Sequence, residues 1–415
     1  MRTRRGSAFI MALIAVTILT MVVVTAAVET RVVQRTQLHR IEQGRAERMA
    51  HSGLLYALAQ MTEIDTSNVT LDDDWAVIGD FGAQEVSVGR GYFRVEVLDA
   101  SGRFNLNTAT QEQLELLPLT TDQIDSILDW KEPDLQPRIE GAKDEYYEAL
   151  TNPYLVKLRN FDTVNELLMV KGFTPSLLFE PQEQVIGTSL VSAGATDDQV
   201  VLADVLTVDS RSSNVSDLGE PKLNANTASE NQMIVAGLTE DLADAITDWR
   251  RDNGTFASWA QILQVPGVTL QNVNLLLDYL TLDTADVAFG KININTASEQ
   301  TLNLMPGMTP DVAQSLISSQ GTFASLGDVA GVSGMSLELL GAIAGMITLS
   351  SESFLVRVVG VFGTTSFALE AIVTIEEAGP RVMKVERYPF IDAVSRWGWD
   401  PEPTTQTVLV EGTRL

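Results

Sequence analysis

The chain has no cysteine among its 415 residues and only two histidines, His39 and His51. Without thiols it can form neither disulfides nor thiolate metal sites, and cysteine-based catalysis is excluded. Because both histidines lie in the N-terminal segment, neither a Ser–His–Asp triad nor a site with several histidine ligands is expected. No phosphate-binding loop and no catalytic arrangement of carboxylates is recognisable either, so the sequence does not predict an enzyme.

Basic residues are scarce as well. The chain contains 28 lysines and arginines against 55 acidic residues, for a net charge of −27. Affinity for nucleic acids comes largely from cations that neutralise phosphates, so this balance disfavours a polyanionic partner. With 415 residues, of which 45% are hydrophobic, the chain is long enough for two or three domains with cores of their own.

The N-terminal segment is typical of a membrane anchor. Residues 1–6 contain three arginines and no acid, and the next 22 residues, Ser7 to Val28, contain no charge, proline or glycine. A helix of that length spans a bilayer of roughly 30 Å. The basic leader predicts a cytoplasmic N-terminus and an exported remainder. The alternative is a secretory signal peptide that is cleaved near Thr25-Ala-Ala27.

The helical pattern continues beyond the apolar run to about Gln60, with apolar positions among a polar majority. A short basic leader that ends in glycine, followed by such a helix, resembles the stem of type IV pilin-like proteins and pseudopilins. The resemblance implies that a prepilin peptidase cleaves between Gly6 and Ser7 and that the new N-terminal amine is methylated. These proteins usually carry glutamate at the fifth mature position, where this chain has Met11. Within the family, the K-type minor pseudopilin of type II secretion systems lacks that acid, which suits a terminal position in the filament.

An internal repeat dominates the rest of the sequence. Three similar segments each precede a helical pattern with capping signals at Thr110, Ser229 and Ser298. The segments are Gly102-Arg-Phe-Asn-Leu-Asn-Thr-Ala109, Pro221-Lys-Leu-Asn-Ala-Asn-Thr-Ala228 and Gly290-Lys-Ile-Asn-Ile-Asn-Thr-Ala297. Each predicts a strand-to-helix junction that opens a helix-hairpin-helix unit.

Alternating, β-like runs flank the repeats, at residues 85–99 and again from Ser353 to Tyr388. The simplest interpretation is one antiparallel sheet that the helical repeats interrupt. The predicted fold class is therefore α+β, with a long N-terminal hydrophobic helix, a small antiparallel pseudopilin-like sheet and a large all-α helix-hairpin-helix insertion. The predicted division comprises a leader at 1–6, a stem helix at 7–62, a sheet domain at 63–104 and 350–395, a first helical subdomain at 105–180, a linker or extra strand region at 181–221, second and third subdomains at 222–349, and a flexible tail at 396–415.

Helix-hairpin-helix units are best known as binders of the DNA backbone, and these resemble the exported DNA receptors of competence systems. Such units grip phosphate with the backbone of a Gly-x-Gly hairpin and with flanking cations. Here the second glycine is replaced, and residues 222–349 hold four basic residues against thirteen acidic ones. We therefore expect a protein-interaction module, with a membrane-anchored DNA receptor for DNA uptake as the alternative.

The first repeat carries an acidic insertion between Lys131 and Asn160 that follows the K-type order of motifs. The family associates bound calcium with this segment. Oxygen ligands suitable for calcium are present in the carboxylates of Asp129, Asp134, Glu140, Asp144 and Glu145. The alternative is that these acids lie at helix ends and in solvated loops, since they lack the alternation of an EF-hand. No other cofactor is expected.

Together, the leader, stem, repeats, insertion and final strands resemble a K-type minor pseudopilin of a type II secretion system. The resemblance implies a single-pass inner-membrane protein with a periplasmic C-terminal domain, placed at the tip of the pseudopilus. The implied partners are the I-type and J-type minor pseudopilins, the inner-membrane assembly platform and the prepilin peptidase, and nucleic acid is not among them. A substrate-capturing adhesin differs from this interpretation only in its partners.

Overall fold

The N-terminal segment forms one continuous helix, α1 (Arg4–Gln60), in the computed structural model, which describes residues 4–183, 199–216, 219–388 and 392–399. By length and composition, the part from Phe9 to Gln60 can cross a membrane. The large apolar side chains between Phe9 and Val28 are all more than half exposed, whereas Ala46, Ala50 and Ala57 are completely buried. The helix thus has a bare apolar N-terminal half and a packed C-terminal half.

Two strands follow the helix and form a hairpin. Strand β1 (Val86–Val88) pairs antiparallel with β2 (Gly91–Asp99) across a tight turn at Gly89 and Arg90. Gly89 has φ of 64°, a conformation that favours glycine. After β2 the chain leaves the sheet through a 3-10 turn (Ala100–Gly102).

The repeats form three helical modules: the first module (residues 104–207), the second (223–281) and the third (292–348). The first module contains β3 (Phe104–Asn105), α2 (Gln111–Leu114), α3 (Thr121–Lys131), α4 (Asp144–Glu148), a 3-10 helix (Val164–Met169), α5 (Pro175–Phe179), β4 (Gln182–Glu183), β5 (Gln199–Val200), α6 (Leu202–Val205) and β6 (Leu206–Thr207). Strand β7 (Arg211–Ser213) follows the module.

The second module contains β8 (Leu223–Asn224), α7 (Glu230–Ala236), α8 (Glu240–Asn253), α9 (Trp259–Ile262), α10 (Val273–Tyr279) and β9 (Leu280–Thr281). Strand β10 (Val287–Phe289) then pairs antiparallel with β7. The third module contains β11 (Ile292–Asn293), α11 (Glu299–Asn303), α12 (Pro310–Ser319), a 3-10 helix (Leu326–Gly331), α13 (Leu337–Ile343) and β12 (Ile347–Thr348).

Every module opens and closes with a short strand, and the two strands pair in parallel: β3 with β6, β8 with β9, and β11 with β12. The predicted capping residues are confirmed, because the hydroxyls of Thr110, Ser229 and Ser298 each accept a hydrogen bond from the backbone N–H three residues later. The buried apolar side chains of the three modules form one continuous core.

Residues 199–216 of the segment predicted as a linker or extra strand region contain strands β5, β6 and β7. Leu202, Val205 and Leu206 are at most 2% exposed, and β6 closes the first module. The opening strand β3 leaves backbone N–H and C=O groups that need partners, and Leu206 and Thr207 supply them. Residues 184–198 and 217–218 of that prediction lie outside the described residues.

The chain returns to the sheet with β13 (Ser353–Phe362), β14 (Thr365–Glu376) and β15 (Gly379–Arg387). The strand order is β1-β2-β13-β14-β15, and all neighbours are antiparallel. Strand β13 pairs with β2 from Phe354 opposite Asp99 to Phe362 opposite Gly91. The prediction of one antiparallel sheet interrupted by the helical repeats is therefore confirmed.

The sheet buries its two faces against different partners, as the two-residue period of a strand requires. One face packs on α1, where a Cβ built on Gly360 would lie 2.2 Å from the Ala46 carbonyl oxygen and from the Ala50 nitrogen. The opposite face carries an aromatic cluster with Tyr388, Trp397 and Trp399.

The flexible tail predicted at 396–415 is wrong for its first four residues. They lie at and just after the end of helix α14 (Ala393–Arg396), and the indole of Trp399 donates a hydrogen bond to Glu96 at 3.1 Å and is 5% exposed. Two tryptophans so close together in sequence are large apolar side chains that the sheet can cover. Residues 400–415 lie outside the described residues.

Candidate interaction site

The asparagine pair in each repeat has a structural role. The first asparagine side chain accepts a hydrogen bond from the backbone N–H of the second in every module, at 2.8–3.0 Å. In the second module, Asn226 then holds both backbone groups of Phe256, by donating to its carbonyl (3.0 Å) and accepting from its N–H (2.7 Å). Asn107 holds Phe161 in the first module at 3.0 and 2.7 Å. We call this arrangement the asparagine clamp; it ties the first helical hairpin of a module to the second.

The clamp of the third module contains a residue from outside the module. Asn295 donates to the side chain of Asn68 at 2.9 Å, and Asn68 in turn donates to the carbonyl of Phe323 at 2.9 Å. Asn295 also accepts from the backbone N–H of Gly321 at 3.1 Å. Asn68 belongs to the segment between α1 and the sheet, so this contact joins the third module to the stem side of the molecule.

Asp99, at the end of β2, makes a second connection to the third module. Its buried carboxylate accepts hydrogen bonds from the side chains of Asn293 (2.9 Å), Thr296 (2.6 Å) and Ser351 and from the Ser101 backbone (2.8 Å). Burial raises the pKa of Asp99 above its ordinary value, although the hydrogen bonds favour the charged form. In the second module, the side-chain amide of the equivalent Asn224 donates to the nearby carbonyls of Leu282 and Asp283.

Basic side chains in the modules form hydrogen bonds or ion pairs within the protein. Lys131 at the end of α3 donates to the carbonyls of Leu106 (2.9 Å) and Ala109 (2.7 Å), and the equivalent Arg250 donates to that of Ala225 (3.1 Å). All four basic residues of 222–349 have partners, through Lys222 to the Leu277 carbonyl, Arg250 to the Ala225 carbonyl, Arg251 to Asp248 and Lys291 to Asp283. The hairpins of these modules therefore offer no unpaired cation to a phosphate.

The five acids predicted as calcium ligands are not gathered into one site. Asp129 is buried and accepts a hydrogen bond from the Arg138 backbone N–H at 3.1 Å. The Lys143 ammonium lies 3.8 Å from its carboxylate and supplies the positive charge that a metal ion would otherwise provide. Asp144 accepts from a backbone N–H at Val156 and Asp134 from one at Gln136, while Glu140 and Glu145 are exposed.

Within the described part of the chain, no group of three or more acidic or histidine side chains is arranged to hold a metal ion. Calcium in the insertion stays a prediction. A calcium titration followed by thermal unfolding, in the wild type and in an Asp134→Asn/Glu145→Gln variant, tests it.

The predicted processing residues lie in α1. Gly6 and Ser7 fall within the helix, and the side chain of Met11 is 65% exposed. Cleavage between Gly6 and Ser7 stays a prediction. The bare apolar stretch around Met11 is a surface that only lipid or other apolar helices can cover.

Neither Asn68 nor Asp99 could be recognised from the sequence, because both lie outside the repeats and belong to no motif. The closing strand of the first module does have a signal in the sequence. Each module closes with an aliphatic residue followed by threonine and, two positions later, by an acid or serine: Leu206-Thr-Val-Asp209, Leu280-Thr-Leu-Asp283 and Ile347-Thr-Leu-Ser350.

Comparisons with family models assign two parts of the chain. Residues 102–180 match the model described as type II secretion system protein K. Residues 219–281 and 287–348 each match the helix-hairpin-helix motif and coincide with the second and third modules. The resemblance to protein K is confirmed over the first of these ranges, and the helix-hairpin-helix interpretation over the other two.

Curated relatives match only part of the chain. The type II secretion system protein K of Klebsiella pneumoniae is 30% identical over 146 residues, which cover 30% of this chain and 44% of that protein. The endonuclease/exonuclease/phosphatase family domain-containing protein 1 of Bos taurus is 25% identical over 172 residues, which cover 40% of this chain and 26% of that protein. The matches thus span less than half the length of either relative.

Among solved structures, a chain of the GspK-GspI-GspJ complex from the type 2 secretion system of enterotoxigenic Escherichia coli aligns with a TM-score of 0.37 and 15% identity. The alignment covers 87% of this chain and 100% of that chain.

Proposed function

We propose that this chain is a K-type minor pseudopilin of a type II secretion system and takes part in protein secretion across the outer membrane. The observation that carries the proposal is the match to protein K over residues 102–180, a segment that the fold inserts between β2 and β13 of a sheet packed on the N-terminal helix. In this role α1 anchors the protein in the inner membrane, and the sheet and modules lie in the periplasm. The protein acts by assembly and catalyses no reaction.

The proposed location is the tip of the pseudopilus. After cleavage at Gly6, the fifth residue is Met11, whose thioether cannot form an ion pair with the N-terminal amine of a neighbouring subunit. A subunit without that pairing suits the end of a filament. The proposed partners there are I-type and J-type minor pseudopilins, the classes of subunit that accompany GspK in the solved GspK-GspI-GspJ complex. The assembly platform and the prepilin peptidase are the further partners.

Mass spectrometry of the N-terminus of the native protein tests the assignment. We expect a chain that begins at a methylated Ser7, and Gly6→Val should abolish cleavage. Gly44→Ala is the matched control, because this second glycine of α1 has only Arg48 near the position of a Cβ, at 3.8 Å. An intact Met1, or a chain that starts near Ala27, contradicts the pilin-type assignment.

Crosslinking in assembled pseudopili tests the tip position separately. We expect crosslinks from this chain to I-type and J-type subunits and about one copy per filament. The Met11→Glu variant restores an acid at the fifth position and should spread into the filament body. Wild-type protein distributed along the filament contradicts the tip position without contradicting membership of the apparatus.

A further inference from the structure

A cavity of about 120 Å³ lies between the sheet and the first module. The strands contribute Leu355, Arg357 and Glu370 to its walls, the first module contributes Phe179 and Asp204, and Trp397 covers it from the C-terminal side. None of these residues belongs to the stem, and the proposed assembly role leaves the cavity unexplained.

Arg103 also lines this cavity, between β2 and β3. Among the described residues, no carboxylate lies within ion-pair distance of its guanidinium, and none accepts a hydrogen bond from it. Burial lowers the pKa of Arg103, and so does the positive charge of nearby Arg357, whereas the carboxylates of Asp204, Glu370 and Glu96 act in the opposite direction. A half-buried cation without an ion-pair partner of its own is a position at which an anion can bind.

The acids near Arg103 are already engaged. Glu96, Asp204 and Glu370 all lie within ion-pair distance of Arg357, at 3.5, 3.6 and 3.1 Å. Arg357 also stands over the ring of Trp397, at 5.4 Å from its centroid. Arg357 is thus fully satisfied inside the protein, whereas Arg103 beside it is not.

The other two modules show what a basic residue at this position ordinarily does. Arg103, Lys222 and Lys291 occupy the same place in the three repeats, directly before the opening strand. Lys222 donates to the Leu277 carbonyl at 2.6 Å, and Lys291 forms an ion pair with Asp283 at 2.7 Å. Lys222 also lines shallow pockets, but its ammonium is hydrogen-bonded within the protein.

We propose that the cavity binds a small organic monocarboxylate and that Arg103 holds its carboxylate group. The volume corresponds to about four water molecules, since water occupies about 30 Å³ per molecule in the liquid, so only a small ligand fits. The side chains of Phe179, Leu355 and Trp397 form the apolar walls of the cavity and contact the apolar part of the ligand. The carboxylates of Asp204 and Glu370 repel a second negative charge, so a dicarboxylate is disfavoured.

Isothermal titration of the full-length chain in detergent micelles with butyrate, in chloride buffer, tests the proposal. We expect saturable binding that also changes the fluorescence of Trp397, with neither butyramide nor succinate binding comparably. Arg103→Gln should weaken butyrate binding about tenfold or more, because charge-assisted hydrogen bonds to the carboxylate are lost. Lys291→Gln, the same kind of change at the equivalent position of the third module, should leave binding unchanged.

Three results overturn the proposal: no saturable binding of butyrate, equal binding of butyramide, or binding by the Arg103→Gln variant as tight as by the wild type. Arg103→Lys is the second variant, for the case in which Arg103→Gln does not fold. It keeps the positive charge and should bind butyrate with intermediate affinity. If the Arg103→Gln variant does not fold, butyrate binding by Arg103→Lys that equals the wild type counts against the proposal.

Discussion

At the scale of single residues, several polar side chains hold separate segments of the backbone together. Asn107 and Asn226 each hold a phenylalanine backbone in the asparagine clamp, and Lys131 joins three carbonyls of the first module. Such contacts satisfy backbone groups that no regular secondary structure pairs. Loss of these hydrogen bonds should therefore lower the free energy of unfolding while leaving the surface of the protein unchanged.

Replacement of a clamp asparagine should destabilise its module. Asn226→Ala removes both bonds to Phe256 and leaves a backbone donor and an acceptor partly buried, at a cost of about 1–3 kcal/mol. Thermal unfolding measures the change. Asn231→Ala on the exposed face of α7 is the control and should stay within about 0.5 kcal/mol of the wild type. Equal effects of the two substitutions contradict the clamp.

Glu386 makes stability depend on pH. Burial raises its pKa, with a smaller contribution from the Glu370 carboxylate, although Asn165 hydrogen bonds to it at 2.9 Å and Lys384 lies nearby. In the native state, Glu386 therefore keeps its proton up to a higher pH than it does in the unfolded state. As the pH rises from the ordinary pKa of glutamate through the raised pKa of Glu386, the free energy of unfolding decreases. Glu386→Gln cannot ionise and should unfold at a higher temperature than the wild type above that range.

The difference between the Glu386→Gln variant and the wild type should shrink towards zero near pH 4, where both states of the wild type bind the proton. Melting temperatures measured from pH 4 to 8 check this. Glu377→Gln, in the exposed turn before β15, is the control and should show no such trend. A constant difference across the range contradicts the assignment to Glu386.

At the scale of elements, a close backbone contact joins α1 to β13. Gly360 allows the strand to approach the helix backbone at Ala46 and Ala50, and Gly53 allows the helix to approach Phe93 and Val358. Both glycines provide space, since neither has a positive φ. These contacts hold the C-terminal half of the helix on the sheet, whereas its apolar N-terminal half stays exposed.

Gly360→Ala should therefore loosen α1 from the sheet. The added Cβ would lie 2.2 Å from backbone atoms of the helix, and backbone cannot move aside as a side chain can. We expect a loss of about 1–3 kcal/mol or more and faster proteolysis of the C-terminal half of α1. Gly331→Ala is the matched control, because nothing lies within 4 Å of its Cβ position and its φ is not positive. Unchanged proteolysis of the Gly360→Ala variant contradicts this account of the packing.

At the scale of the whole molecule, two cores meet at polar connections. The three modules share one apolar core, and the sheet and α1 share another. Asn68, Asp99 and Asn293 link the third module to the sheet side, and Asp204 of the first module contacts Arg357 of the sheet. Charge is the other property of the whole molecule, and at −27 it opposes any polyanion.

The full-length chain in detergent should not bind duplex DNA. Its few cations in the second and third modules are paired internally, and its net charge repels phosphate. Fluorescence anisotropy with a labelled duplex at low salt checks this. Saturable binding that weakens as salt is added would support the DNA-uptake receptor instead.

Periodic features of the sequence predicted most of the fold. The uncharged run after Gly6, the three Asn-x-Asn-Thr-Ala segments and the alternating strands each express a local rule, so they could be recognised without the structure. The closing strand at Leu206 and Thr207 was missed because its partner β3 lies about a hundred residues earlier, and a two-residue strand has no periodicity of its own. The burial of Trp397 and Trp399 was missed because it depends on the far face of the sheet.

The sequence by itself determined the anchor, the number of repeats, their capped helices and the interruption of one sheet by the modules. These properties depend on neighbours in the chain, which hydrophobic period and capping chemistry encode directly. Only the tertiary structure decided which polar groups have partners: that Lys143 lies beside Asp129, that Asn68 enters the third clamp, and that Arg103 faces a cavity while Lys222 and Lys291 are paired. Electrostatic and hydrogen-bonding partners are set by distance in space, and a repeat keeps the residue type without keeping what surrounds it.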